Sequence, residues 1–148
     1  MSTTPAETPT ATRHGIALLG SLTIPGRPEQ AATARAFVTR ALGDDCPHMD
    51  TAVLLTSELV TNSLQHSRSR RDGGIITVTL IAIPGGIRAE VSDEGGLAAP
   101  ALRSSPDEPS VAEDGRGLHL VQALSTRWSY WHDGSGTLTW FELTEPIS

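Results

Sequence analysis

Apolar residues fall into short blocks along the chain, separated by Pro, Gly, Ser and Asp. Ile16 to Ile24 is apolar, partly β-branched and ends at Pro25-Gly26, which predicts a strand interrupted by Gly20. Pro28 then opens a segment in which Ala34, Phe37, Val38, Ala41 and Leu42 recur at helical spacing, with Gly43 as its C-cap. Asp44-Asp45-Cys46-Pro47 repeats the start signal. The next helix is expected from about Pro47 to about Gln65, with Val53, Leu54, Leu59, Val60 and Leu64 on its buried side. Arg68 to Gly74 is a polar break. Ile75 to Ile83 and Ile87 to Ser92 read as strands joined by the turn Pro84-Gly85-Gly86, a hairpin. Leu97 to Asp114 holds Pro100, Pro106 and Pro109 and reads as a long mobile loop. Gly117 to Leu124 is a short helix entered through Gly115-Arg116-Gly117. Trp128 to His132 and Gly136 to Leu143 flank Asp133-Gly134-Ser135 as a second hairpin. The order strand, helix, helix, hairpin, loop, helix, hairpin predicts an α+β two-layer sandwich. Its sheet is expected to be mixed and mostly antiparallel, with helices on one face.

Length and charge narrow the classes. A chain of 148 residues suggests one domain and needs no disulfide staple. Met1 to Arg13 is rich in Thr, Ala and Pro and is expected to be a disordered tail, leaving residues 14–148 as the domain. It lacks the apolar core of a secretory signal, and no later stretch is long and apolar enough for a bilayer, so the expectation is a cytoplasmic protein without a membrane partner. A net charge of −6 argues against nucleic acid. All 11 basic residues are arginine, which excludes a P-loop lysine, a lysine Schiff base and a lysine general base. Cys46 is the single cysteine and reads as a small residue near a helix start.

Three places carry candidate chemistry. Glu58 and Asn62 are four apart and share one helix face, with His66 a further turn along. Taken alone, Glu-x-x-x-Asn is most often a solvated face. Asp93 ends a strand and precedes Glu94-Gly95-Gly96, where an acid can hold a donor-bearing ligand while the backbone approaches closely. Alone it is most simply a turn. Gly115-Arg116-Gly117 opens a helix, and free amides at a helix start receive phosphate. Alone it is a hinge, and Leu120 occupies the third glycine position of a dinucleotide fingerprint.

In this order the three resemble the Bergerat, or histidine-kinase-like, ATP-binding fold. Glu58-Leu59-Val60-Thr61-Asn62-Ser63-Leu64-Gln65-His66 is similar to its N-box, Asp93-Glu94-Gly95 to its first glycine box, and Gly115-Arg116-Gly117-Leu118 to its second. LTIPGRPEQAATARAFVTRALG and GRGLHLVQALSTRWSYW further resemble the small bacterial anti-sigma-factor serine kinases of that superfamily. The resemblance implies ATP/ADP and Mg²⁺ as ligands, with Asn62 on the metal and Glu58 as the general base. Asp93 would accept from the adenine amino group, beside Gly95. Gly115, Arg116, Gly117 and Leu118 would meet the phosphates, with His66 also at the nucleotide, and Leu97 to Asp114 would be the lid. It further implies transfer of a phosphoryl group to a serine of a small antagonist protein, a sigma factor as second partner, and a homodimer. The family usually has another glycine two places after Gly95; Leu97 stands there, with Gly96 one residue earlier.

The alternative reading is a catalytically weak or inactive nucleotide-binding module that regulates a partner by contact, which Leu97 favours. A histidine-kinase catalytic domain is a further rival, for which His14 is a poor phosphoacceptor, and an inert scaffold is the blandest. Arg68, Arg70 and Arg71 read as a solvated loop. The histidines lack zinc-ligand spacing. Trp128, Trp131 and Trp140 read as core or cross-strand packing.

Overall fold

Two antiparallel hairpins and one leading strand build the sheet that carries everything else. The computed structural model describes residues 15–66, 74–94, 116–133 and 135–145, with the side chains of His66, Arg116 and Gly117 outside the description. The expected tail, the polar break after the second helix and the expected lid with its flanking glycines lie outside it. The elements are β1 (Ala17–Pro25), α1 (Gln30–Leu42), α2 (Met49–His66), β2 (Ile75–Ile83), β3 (Gly86–Asp93), α3 (Arg116–Leu124), β4 (Arg127–Asp133) and β5 (Gly136–Thr144). The five strands run in the order β1-β2-β3-β5-β4. All four ladders are antiparallel, so the mixed sheet expected from the element order is antiparallel throughout. Both expected hairpins are present, and β5 inserts between β3 and β4 after the chain returns through α3.

Alternation decides which face is covered. On β2, Ile76, Val78, Leu80 and Ala82 are buried; on β3, Ile87, Ala89 and Val91; on β5, Phe141 and Leu143. These face the helices. α1 contributes Ala34 and Val38, α2 contributes Ala52, Leu55, Leu59, Val60 and Leu64, and α3 contributes Leu118 and Val121, all in one cluster. Each large side chain contributes about 1.5–3 kcal/mol on full burial. α1 starts two residues after Pro28 and ends at Gly43, whose positive φ of 78° suits a C-cap glycine and whose N–H bonds Thr39 O.

Leu59, Val60 and Leu64 of α2 are buried as expected, while the face differs at Val53 and Leu54. Leu55 is fully buried, while Leu54 is 41% exposed and Val53 only packs against the margin of the core. The stripe runs Leu55, Leu59 and Ser63 at four-residue steps, and Leu54 falls about 100° away from it.

The opposite sheet face carries a charged cluster as well as the exposed Leu18, Ile75 and Trp131. Arg88 Nε donates to Glu90 at 2.8 Å and Arg88 Nη1 to Glu142 at 3.2 Å. The Arg88 guanidinium lies 4.0 Å from the Trp140 ring centroid. Trp140 thus makes the cross-strand packing expected of it, and Trp128 packs at the edge of the core. Trp131 stands opposite Leu138 in register, outside the core. It is 67% exposed on the outer face of the edge strand β4, because it lies three residues from Trp128 and odd steps along a strand change face.

Trp131 instead helps to close the β4–β5 turn, whose centre is Asp133. Its Oδ1 accepts from the Ser135 hydroxyl at 2.6 Å, the Ser135 N–H at 2.8 Å and the Gly136 N–H at 3.2 Å, and its Oδ2 from the Trp131 indole at 3.3 Å. These bonds, the Ser135 hydroxyl first, hold the carboxyl down to about 2 from its ordinary 3.8. A depressed carboxyl stabilises the fold fully above its unfolded value and loses that contribution as pH falls through the folded one. The advantage in melting temperature of the native protein over Asp133→Asn is therefore expected to hold above about pH 4 and to shrink between about pH 4 and 2. Thermal melts across that window check this; a constant difference would sink it.

Candidate nucleotide site

The first two candidate groups meet where α2 lies across the end of β3. α2 carries Glu58 and Asn62, both half-buried and one turn apart. Each directly precedes a buried residue, Leu59 and Ser63, so both lie along the margin of the core stripe rather than out in solvent. β3 ends at Asp93, also half-buried. One hydrogen bond joins the two elements: Ser63 Oγ donates to Asp93 Oδ2 at 2.6 Å. A hydroxyl bond to a carboxylate of that length is charge-assisted and strong.

β5 completes this end of the sheet. Thr137 stands opposite Asp93 in register and is buried. Directly opposed residues share a face with Cβ atoms about 4.5–5.5 Å apart. The Thr137 hydroxyl is 2.8 Å from His132 Nδ1, which ties β4 into the same corner. Gly136 is required here: a Cβ at that position would run into the carbonyl oxygen of Asp93. Close approach of β5's first residue thus fixes where β3 ends.

The remaining candidates are described only in part. His66 is the last residue of α2. Arg116 and Gly117 open α3, so the helix start expected at this motif is present, while Gly115 and Gly95 lie outside the described residues. Leu118 is fully buried in the core, so any contact it makes with a ligand falls to its backbone.

The sequence pattern missed Ser63, Thr137, Gly136 and His132. A signal for two of them existed. Ser63 occupies a core step of the Leu55–Leu59 stripe, and Thr137 and Thr139 take inward positions that alternate with Phe141 and Leu143. Polar groups at core registers need partners, and such positions mark sites.

The donor chemistry suits Mg²⁺. That ion takes oxygen ligands, retains several waters and is usually held by one or two side chains together with phosphate rather than by a protein cage. The amide oxygen of Asn62 is such a donor, with Glu58 one turn away on the same face. Among the described residues, no group of three or more His, Cys, Asp or Glu gathers to form a cage. No helix among them is long and apolar enough to cross a membrane.

The chain is similar in fold to known proteins. It aligns with the RsbU and RsbW domains of Rv1364c from Mycobacterium tuberculosis at 23% identity and a TM-score of 0.59, covering 84% of this chain and 32% of that one. It aligns with the blue-light activated histidine kinase EL346 of Erythrobacter litoralis at 24% identity and a TM-score of 0.51, covering 76% of this chain and 40% of that one. The chain therefore spans less than half the length of either. No curated protein matches its sequence. Residues 24–143 match the histidine kinase-like ATPase domain, a span from the end of β1 to the end of β5 that takes in α2, β3 and the start of α3. The chain belongs to the histidine kinase-like ATPase domain family.

Proposed function

We propose that the chain is an ATP-dependent protein serine kinase of the anti-sigma-factor type, which phosphorylates a serine of a small antagonist protein and also binds a sigma factor. The observation that carries this reading is the Ser63–Asp93 bond. It locks the helix bearing Glu58 and Asn62 to the strand end bearing Asp93, in a chain whose family is an ATPase domain. The RsbW domain of the mycobacterial protein shares the fold, and the sequence stretches from Leu22 to Gly43 and from Gly115 to Trp131 resemble that kinase group. A homodimer and a cytoplasmic setting belong to the same reading.

The residues divide the work. Asp93 accepts from the adenine amino group and orients the base. Asn62 offers its amide oxygen to Mg²⁺, which when bound with ATP neutralises phosphate charge. The amides at the start of α3, from Gly115 to Leu118, with the Arg116 guanidinium, meet phosphate oxygens where a helix N-terminus favours an anion. His66, the last residue of α2, is assigned to the same nucleotide. Glu58 takes the proton of the attacking serine hydroxyl. Phosphoryl transfer needs positioning and charge neutralisation more than covalent chemistry, and a site without lysine can supply both.

Calorimetric titration with ATP, with and without Mg²⁺, tests the nucleotide part. Binding by the native protein is expected to tighten about 10-fold or more with Mg²⁺, and Asn62→Ala to lose most of that increment while keeping the metal-free affinity. No binding at millimolar nucleotide, with or without the metal, would overturn the reading. The rival, a module that regulates by contact with nucleotide as a conformational ligand, draws on Leu97 and is separated from it at Glu58.

A further inference from the structure

Ser63 is, with Thr56, one of two polar residues on the buried side of α2, and its bond to Asp93 joins the two elements without contacting the nucleotide. It is 8% exposed, buried against the sheet, and its hydroxyl donates to Asp93 Oδ2 at 2.6 Å. The bond crosses from the helix layer to the sheet layer. Asp93 is the last residue of its strand, where ladder pairing to β2 and β5 ends with Ile76 and Thr137. Backbone pairing therefore fixes the Asp93 Cα, and the Ser63 hydroxyl, from another element, helps to fix the plane of its carboxylate.

That plane matters for recognition. A carboxylate presents only acceptors and pairs with the amino group of a 6-aminopurine, whereas a 6-oxopurine offers an acceptor at the same place. Discrimination between the two is sharp when the acceptor is buried and held, because the wrong base leaves a polar group unpaired. Without the Ser63 bond the carboxylate is less closely aimed and can turn to accept from the N1–H that a 6-oxopurine carries, so the two bases are told apart less sharply. Ser63 adds no atom to the ligand; it acts through Asp93.

We propose that Ser63 is a positioning residue that sets base selectivity: by holding one oxygen of Asp93 it aims the carboxylate at a 6-aminopurine and against a 6-oxopurine. This rests on the reading of Asp93 as the base-recognising group.

The test compares ATP with inosine triphosphate, which differs in having oxygen at position 6. Both are titrated with Mg²⁺ against the full chain and against Ser63→Ala and Ser63→Thr. The native protein is expected to favour ATP. Ser63→Ala is expected to weaken ATP about 10-fold and leave inosine triphosphate within about twofold, so that the preference shrinks about 10-fold, and Ser63→Thr to restore it. A purely structural role would lower both affinities together, and an equal loss overturns the proposal, as does an unchanged preference. If Ser63→Ala fails to fold, Ser63→Cys keeps the volume with a weak donor and carries the same comparison. If the native protein binds both nucleotides equally, the role of Asp93 itself falls, a failure distinguishable from one confined to Ser63.

Discussion

Glu58→Gln is expected to lower phosphoryl transfer to a protein serine by about 10²–10⁴-fold, the usual contribution of a general base. At 1.36 kcal/mol per decade this is about 2.7–5.5 kcal/mol of barrier. Glutamine keeps the length and the hydrogen-bonding carbonyl of Glu58 but cannot take a proton. The site lies on α2 one turn before Asn62, at the margin of the core, so the exchange disturbs no buried packing. ATP affinity is expected to stay within about threefold or to rise slightly, since a negative charge near the phosphates is removed. The effect therefore falls on turnover, and single-turnover transfer of labelled phosphate from ATP to an antagonist-type protein reads it directly. Transfer by Glu58→Gln within about threefold of native removes Glu58 from the base role. Regulation that survives in the variant, with no transfer by the native chain, hands the case to the contact-only module.

Much of the fold was legible because its signals are local. β2 and β3 alternate β-branched and small or polar residues around a Pro-Gly-Gly turn, and β4 and β5 flank an Asp-Gly-Ser turn. Period and turn chemistry suffice there. Strand direction needed more. The antiparallel β3–β5 ladder pairs residues some fifty positions apart, and nothing local records that β5 rather than β4 lies beside β3. On α2, Leu59, Val60 and Leu64 are buried as their spacing predicts, and the departure at Leu54 has a related reason. Leu54 and Leu55 are adjacent and equally apolar, and only tertiary packing chooses between them. Trp131 escaped because a tryptophan on an edge strand has an outer face to occupy, and size alone does not reveal the side.

The site divides in the same way. Glu58, Asn62 and Asp93 were readable as a spaced set, since a helix turn and a strand end are local features. Ser63 and Thr137 were not, because their meaning lies in a neighbour 30 or more positions distant. Gly136 looked like a turn glycine and is instead a point of close approach to the Asp93 carbonyl. The residues that perform the chemistry were thus easier to see than those that hold them in place. The supporting shell matters to the chemistry as well: an anchor displaced by about 1 Å can cost on the order of 10²-fold in a positioned reaction.

Asp93→Asn carries the second large effect, on binding rather than turnover. ATP affinity is expected to fall about 10²-fold, within the range of about 1.5–3 kcal/mol for a hydrogen bond to a charged group. Two losses combine. The amide oxygen that remains is a weaker acceptor than a carboxylate. In the native geometry Ser63 donates to Oδ2. In the variant the amide can keep that bond only by turning its oxygen toward Ser63, which presents its NH₂ to the base, donor against donor. The opposite orientation keeps the amide oxygen on the base and lets the NH₂ donate to the Ser63 oxygen, but the Ser63 O–H then loses its carboxylate acceptor. Because Asp93 lies at the base end, ATP and ADP are expected to lose the same factor, and the Mg²⁺ increment on ATP to persist. Asn62→Ala behaves in the reverse way, losing the Mg²⁺ increment and sparing base recognition. Calorimetry on both variants with both nucleotides thus resolves the two ends of one ligand. Binding of ATP by Asp93→Asn within about threefold of native detaches Asp93 from the base, and with it the selectivity assigned to Ser63.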